Sequence, residues 1–325
     1  MSNQTSAGSP ELSVIICAHN PRPEYLRRAL AALAAQSLPM DRWEFLLVDN
    51  ASQPPVARDH DLAWHPLGRQ LLEPALGLTL ARLRGISEAR GQWLVFVDDD
   101  NLLAPDYLAN VVALVAAHPR LAVFGAGKLA PEFEIQPPPE LKNLLSLLAL
   151  RDASSARSGS NPKNADCMPC GAGLCVRRDI AAQFGRLVEQ LQSCVVLGRK
   201  GRELFSHEDD LFSWAAAENG MEFGVFPTLR ITHLISAGRL SQAYFLRLIY
   251  YHSFSHWILH YLLAGDAPRR TDWLRRLRLA PHAVRNGLFS ARCQRQWARG
   301  EDRAARLIAE NNLSPLRPPP AAAKT

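Results

Sequence analysis

No stretch of this chain approaches the roughly 20 consecutive apolar residues that a membrane span requires. The longest candidate, Tyr244 to Leu263, is interrupted by Arg247, His252, His256 and His260. Cysteine is scarce. Six in 325 residues exclude a disulfide framework, and Cys17 and Cys175, set in apolar runs, read as free thiols packed like small hydrophobes. Met1 to Pro10 has no basic start and no apolar core, so it does not read as a signal peptide, and a cytoplasmic location is expected. No G-x-G-x-x-G follows the first strand, which excludes a nicotinamide or flavin site of the usual kind, and no G-x-x-x-x-G-K-[ST] marks a P-loop. There is no internal repeat. No nucleic-acid-binding module is present either, so no nucleic-acid partner is expected.

What is present suits one large globular domain with a helical appendage. Hydrophobic residues make up 47% of the chain. The net charge of +6 is uneven. Asp266 to Thr325 holds 13 cationic and 5 acidic residues, a local +8, which leaves 24 cationic against 26 acidic in the rest. The basic character therefore belongs to the tail.

Leu12 to Cys17 is a β-branched strand that breaks at His19-Asn20-Pro21-Arg22-Pro23. A helix is expected from about Glu24 to Gln36, with Leu26, Leu30 and Leu33 on one face. Trp43 to Val48 forms a second strand ending at Asp49-Asn50-Ala51-Ser52. Strand, helix, strand at this spacing is a βαβ unit with parallel strands. A short strand follows at Gln70 to Glu73, then a helix from Leu78 to Arg90 whose side carries Arg82, Arg84 and Arg90. Trp93 to Val97 reads as a strand buried on both faces. It runs into Asp98-Asp99-Asp100-Asn101. Pro105 suits the first position of a helix reaching about His118, and Leu121 to Phe124 is a further strand.

Gly125 to Cys170 reads as surface loops, a candidate flap. Beyond it come a Gly-rich strand at Gly171 to Val176 and a helix from Asp179 to Leu191. Another helix is expected to start at Ser206 and end at Asn219-Gly220, followed by strand-like runs at Phe223 to Phe226 and Leu229 to Thr232. Everything past Leu240 reads as helical.

Three carboxylates at one strand tip repel one another and favour a cation. Mg2+ or Mn2+ with oxygen ligands and a diphosphate suits such a tip, which lies where open α/β sheets bind ligands. The alternative is an acidic turn in which Asp100 or Asn101 caps the next helix. Asp49, at the same sheet edge, could hold a base or ribose, or simply form a turn. Ser206-x-x-Asp209 has the spacing of a capping box. His233 could complete a metal shell or be structural. His252, His256 and His260 share a helix face, read as a mixed polar face. Cys167 and Cys170 lack the second pair a zinc site needs, so a loop is expected there.

Ser13 to Asn20 with Arg22-Pro23-Glu24, Val48 to Ser52, Gly77 to Gly85, Phe96 to Tyr107 and Glu208-Asp209 come in the order of the family 2 inverting glycosyltransferases, which the chain resembles over about residues 11–235. The resemblance implies the type-A (GT-A) fold, a Rossmann-like, mostly parallel sheet flanked by helices, with a helical C-terminal extension. It divides the chain into a tail at 1–10, a catalytic domain at 11–238, a basic helical extension at 239–312 and a tail at 313–325. It implies transfer of a sugar, with inversion, from a nucleotide-diphosphate donor, UDP-linked by expectation, to a hydroxyl of a glycan, lipid-linked or small-molecule acceptor, with a cell-surface polysaccharide or glycoconjugate as the product.

By the same resemblance Ala18, His19 and Asn20 touch the nucleotide and Asp49 holds the base. Arg82, Asp98 and Asp99 face the nucleotide-sugar. Asp98 and Asp100 form the D-x-D motif, with Asp100 the more direct ligand of Mg2+ or Mn2+; His233, from its place at a strand end and not from the resemblance, is a further candidate ligand or a contact to the diphosphate. Glu208-Asp209 supplies the base, Asp209 foremost. Leu83 and Gln53 depart from the family's usual Asn and acidic residue. A nucleotidyltransferase is the alternative enzyme, but it would carry a Gly-rich, basic loop where Ala18-His19-Asn20-Pro21 stands. A catalytically inactive relative acting as a binding protein is the alternative outside catalysis. The basic segments Thr271 to Ser290 and Ala291 to Glu310 read as amphipathic helices suited to an anionic membrane surface, for instance the inner face of the plasma membrane, or to packing on the domain.

Overall fold

The computed structural model describes residues 9–192, 199–200, 203–268 and 287–316. They form two compact units. The first takes in the chain up to Glu132, Leu148–Val188 and Asp209–Ile235, and the second Phe133–Leu147, Glu189–Glu208 and the chain from Ser236.

The first unit is built on one mixed sheet. Its strands are β1 (Leu12–Ala18), β2 (Trp43–Asp49), β3 (Gly68–Leu72), β4 (Trp93–Val97), β5 (Asn101–Leu103), β6 (Leu121–Phe133), β7 (Arg151–Asp152), β8 (Arg157–Gly159), β9 (Leu174–Arg177) and, further along the chain, β12 (Glu222–Ile235). The order is β3-β2-β1-β4-β9-β6-β12-β5, with β7 beside β6 and β8 beside β12. The strands β3, β2, β1 and β4 are parallel. From β4 to β9 and from β9 to β6 the pairing turns antiparallel, as it does between β12 and β5. The parallel half is the βαβ unit read from sequence. Val14, Ile15, Ile16 and Phe45 to Val48 are all buried, as expected of strands covered on both faces. Around the sheet lie α1 (Pro23–Ala34), α2 (Leu78–Glu88), α3 (Tyr107–Ala117), α4 (Arg178–Gln192) and α5 (Asp210–Glu218). α1 buries Leu26, Ala29, Leu30 and Leu33.

Several expectations change. β6 and β12 are single long strands that run through Gly125, Gly127, Pro131 and Pro227, where the sequence reads as broken. The helix α3 begins at Tyr107, not Pro105, because Pro105 and Asp106 sit in the preceding turn. Asp106 holds Arg230 through both carboxylate oxygens at 3.0 Å instead of capping the helix. Asn101 is not a cap either: it opens β5. Arg82 and Arg84 point away from each other, Arg82 buried and Arg84 exposed against Glu88. The segment read as loops between residues 125 and 170 holds the rest of β6, a 3-10 helix at Pro139–Leu148, and β7 and β8.

The second unit contains the short hairpin β10 (Arg199–Lys200) and β11 (Glu203–Leu204) and two long helices, α6 (Gln242–Ala264) and α7 (Leu288–Glu310). These helices pack along each other. An added Cβ on Gly300 would collide with the Tyr250 carbonyl, so the two backbones approach closely there. Ser253 donates to the Trp297 carbonyl at 2.7 Å. His252 and His256 lie against Trp297, and the His256 and His260 rings are 4.1 Å apart, which fits the polar-face reading. Residues 271–286 of the first basic segment lie outside the described residues. Among the described residues no helix is long and apolar enough to cross a membrane.

Candidate active site

The parallel register fixes the site. Ala18 lies opposite Asp49, and Ile16 opposite Val97, so the chain leaves β1, β2 and β4 at one rim of the sheet. Asp98, Asp99 and Asp100 follow β4 at that rim.

The loops after β1 and β2 are zipped together. His19 donates from Nδ1 to the Asn50 carbonyl at 2.7 Å, and its Nε2 then accepts from the Asn20 amide at 3.1 Å. The Asn20 backbone N–H donates to Ser52 Oγ, and Asn20 Oδ1 accepts from the Gln53 N–H. Asn20 and Ala51 both take positive φ, 46° and 56°. Asparagine tolerates this conformation; alanine holds it at a cost of roughly 1–2 kcal/mol. Asp49, 8% exposed, accepts the Ser52 N–H on one oxygen and the Val56 N–H on the other, both at 2.9 Å. It thus forms the turn after β2, the bland reading of its sequence context. Asn50 ties this turn to the next segment: its amide donates to the Glu73 and Ala75 carbonyls and its Oδ1 accepts the Gly77 N–H. Gly77 leads into α2, which carries Arg82.

Arg82 is buried, 3% exposed, with its guanidinium 5.7 Å from the Phe96 ring. Two thiols report on what surrounds it. Burial pushes Cys17 up to about 12; Arg82 pulls against the rise, and Asp98 and Asp99 add to it. Burial likewise pushes Cys170 up to about 11; Arg151 opposes that, and Asp209 and Asp98 reinforce it. Asp98 is felt by both thiols, so β4's acidic tip, Arg82 and Asp209 share one neighbourhood.

Asp209 sits at the start of α5, but its side chain makes no capping hydrogen bond. The alternative reading as a capping box does not form: the Ser206 N–H donates to Ser255 Oγ at 3.0 Å. Instead Asp209 Oδ2 accepts the Gly171 N–H at 2.6 Å. A Cβ on Gly171 would lie 2.5 Å from Arg82 Nη2 and 3.5 Å from Asp209 Oδ2, so this glycine lets its backbone approach both charged groups. The turn is held from behind: Tyr107, fully buried, donates from its hydroxyl to the Gly173 carbonyl at 2.6 Å, with Gly173 at φ 70°. Glu208 is also buried but belongs to the second compact unit. His207 before it takes φ 67°.

At the antiparallel end His233 of β12 faces Asn101 of β5. His233 Nε2 lies 3.4 Å from Asp100 Oδ2, and the Leu234 N–H donates to the Asp100 carbonyl. The Asn101 amide holds Asp100 Oδ1 at 2.9 Å. An imidazole and a carboxylate at that separation suit two ligands of a single Mn2+ or Mg2+ ion whose remaining positions are taken by phosphate oxygens and water. Among the described residues no group of three His, Cys, Asp or Glu forms a ready-made cage. Asp100 and His233 thus supply two of the ligands such an ion needs. Of the residues singled out from the sequence, Arg82, Asp98 and Asp209 lie close together and Asp100 lies against His233; Gly171 and Tyr107, which work through a backbone N–H and on a backbone carbonyl, leave no signal in the sequence.

Residues 13–134 match the family described as Glycosyl transferase family 2. The match contains the acidic tip and Arg82 but ends before Gly171, Asp209 and His233. An uncharacterized protein, y4gI, of Sinorhizobium fredii is 35% identical over 115 residues, 34% of this chain and 12% of that one. The glycosyltransferase AglE of Haloferax volcanii is 34% identical over 94 residues, 28% of this chain and 31% of that one. The chain spans less than a third of the length of these curated relatives. The solved structure of GalNAc-T7 with UDP, GalNAc and Mn2+ superposes with a TM-score of 0.50 over 85% of this chain and 55% of that one, at 16% identity. The fold is the GT-A fold, with a parallel half at the acidic rim and an antiparallel half beyond it.

Proposed function

We propose that the chain is an inverting glycosyltransferase that moves a sugar from a nucleotide-diphosphate donor to an acceptor hydroxyl. The observation that carries this reading is the meeting of Asp209, Gly171 and Arg82 beside Asp98, on a unit whose family 2 match supports the chemical class. The zipped loops of His19, Asn20, Asn50 and Ser52, with Asp49 shaping the turn beneath them, form the nucleotide side. Asp98 and Asp99 flank the diphosphate, and Asp100 with His233 would hold Mg2+ or Mn2+. When bound, that ion supplies Lewis-acid stabilisation of the leaving diphosphate.

The chain's own residues supply the rest. Arg82, buried and cationic, lies on the side where negative charge grows as the glycosyl bond breaks. The Gly171 N–H fixes the orientation of the Asp209 carboxylate, which takes the proton from the attacking hydroxyl. A single base and a direct displacement invert the anomeric carbon. UDP is the expected nucleotide, as in the GalNAc-T7 complex that shares the fold.

The test is a thermal-shift screen of UDP-sugars with and without Mn2+, since a ligand that binds only the folded state raises the melting temperature. The wild type is expected to respond to one donor only with the metal, and Asp100→Asn to lose that response. NMR of the product should show the opposite anomeric configuration to the donor. Retention at that carbon sinks the single-displacement reading.

A further inference from the structure

The helix α7 has two opposite faces. One is buried and built of small residues, Ala291, Gly300, Ala304 and Ala305, with Glu301. Close approach of α6 at Gly300 uses this face up. On the other face Arg292, Arg295, Arg299, Arg303 and Arg306 recur at spacings of three and four, and all five are exposed. At 1.5 Å per residue the row is about 21 Å long. Arg292 donates to Gln242 at 3.3 Å. The other four make no ion pair among the described residues. Asp302 flanks the row and Glu310 ends it. Leu288 continues the row one turn before Arg292. At 79% exposure it is the most exposed large hydrophobic residue among those described.

We propose that this face is a docking surface for an anionic phospholipid bilayer. The packing alters the amphipathic-helix reading of the sequence: the apolar side of α7 faces α6, so the helix cannot sink it into lipid as a free amphipathic helix does. The contact is instead an arginine row laid on headgroup phosphates, with Leu288 entering the acyl boundary at one end. Guanidinium groups suit phosphate through paired hydrogen bonds. The exposed leucine at the end of the row favours a lipid surface over a soluble polyanion. The inference stands independently of the catalytic assignment, because every residue it uses lies in the second unit.

The test is co-sedimentation of the full chain with vesicles of phosphatidylcholine alone or mixed with phosphatidylglycerol, at low and high salt. Binding is expected only with phosphatidylglycerol and should weaken as salt shortens the screening length. Each arginine near an anionic surface contributes about fivefold, so the Arg299→Gln/Arg303→Gln double variant should bind about 25-fold more weakly. Leu288→Ala should weaken vesicle binding while leaving binding of soluble polyphosphate unchanged. Circular dichroism and an unchanged melting temperature establish that the variants are folded. Equal binding to neutral vesicles, or no loss in the double variant, overturns the proposal. So does polyphosphate binding as tight as vesicle binding with no effect of Leu288→Ala, which would assign the row to a soluble polyanion.

Discussion

The entry rim of the parallel strands and the tip of β4 both carry carboxylates, and they treat them differently. At the entry rim Glu44 is 1% exposed and fully provided for. Ser13 Oγ and the Arg90 N–H donate to its Oε1, and Arg69 reaches its Oε2 at 3.2 Å. Ser13 in turn takes the Gly91 N–H at 2.8 Å. At the exit rim Asp98, Asp99 and Asp100 follow one another at the tip of β4, Asp98 and Asp99 near the buried Arg82 and Asp100 against Asn101 and His233. A buried carboxylate with all its partners holds the fold; a crowd of acids at one tip costs stability unless it is kept for binding. The sheet is locked at one rim, and the acids at the other are those the proposed function uses.

The comparison breaks first on Asp209→Asn. Loss of a positioned base should lower transfer by about 10²–10⁴-fold, with donor binding and melting temperature unchanged. Rates equal to wild type in a quenched transfer assay would remove Asp209 from the base role. Glu44→Ala should do the reverse. It leaves Arg69 and the Arg90 N–H facing an empty buried position and should cost about 3–5 kcal/mol in urea denaturation, with the folded fraction retaining its donor affinity. If Glu44→Ala lost donor binding without losing stability, the division between the rims would fail.

His65 sharpens the picture on the entry side. It is 3% exposed, stands edge-on to Trp43 at 4.1 Å, and accepts the Leu67 N–H on Nδ1 at 3.1 Å. Burial lowers its pKa to about 4, whereas the unfolded chain titrates near 6.5. Between those values the unfolded state binds more protons, so stability is fully present above pH 6.5 and is lost as pH falls towards 4, on the order of 3 kcal/mol in all. His65→Gln should flatten that slope in denaturation curves measured across the window. An unchanged slope would mean that another group governs the acid loss.

The two halves of the sheet also differ in how legible they are. β1, β2 and β4 announce themselves as mostly apolar runs, because a strand covered on both faces buries nearly every side chain. The antiparallel half hides. Glycines at 125 and 127 let the backbone approach its neighbours, as at Phe226, where a Cβ on Gly127 would meet the chain. Pro131 and Pro227 read as breaks in strands that in fact continue. The acids of the site were readable because carboxylates at a strand tip have a chemical reason to be there. The Ser206-x-x-Asp209 spacing offers a local alternative for Asp209, because local capping and a long-range hydrogen bond to Gly171 compete for the same carboxylate and the sequence records only the local option. Asp49 shows the converse: its two oxygens accept backbone N–H groups in the turn after β2, a local contact that the sequence does record.

The smallest expected effect lies where stability and chemistry meet. Tyr107 belongs to the core by burial, yet its hydroxyl holds the Gly173 carbonyl, and the turn it secures presents the Gly171 N–H to Asp209. Tyr107→Phe keeps the ring and removes one hydrogen bond, about 1 kcal/mol in a denaturation experiment. If the turn merely packs, kcat should fall by no more than the variant's loss of folded protein. If it positions the base, kcat should fall severalfold with the donor KM unchanged, and the loss should vanish in an Asp209→Asn background, where the positioned group is already gone. A donor KM that rises while kcat holds would place the turn with the nucleotide loops instead.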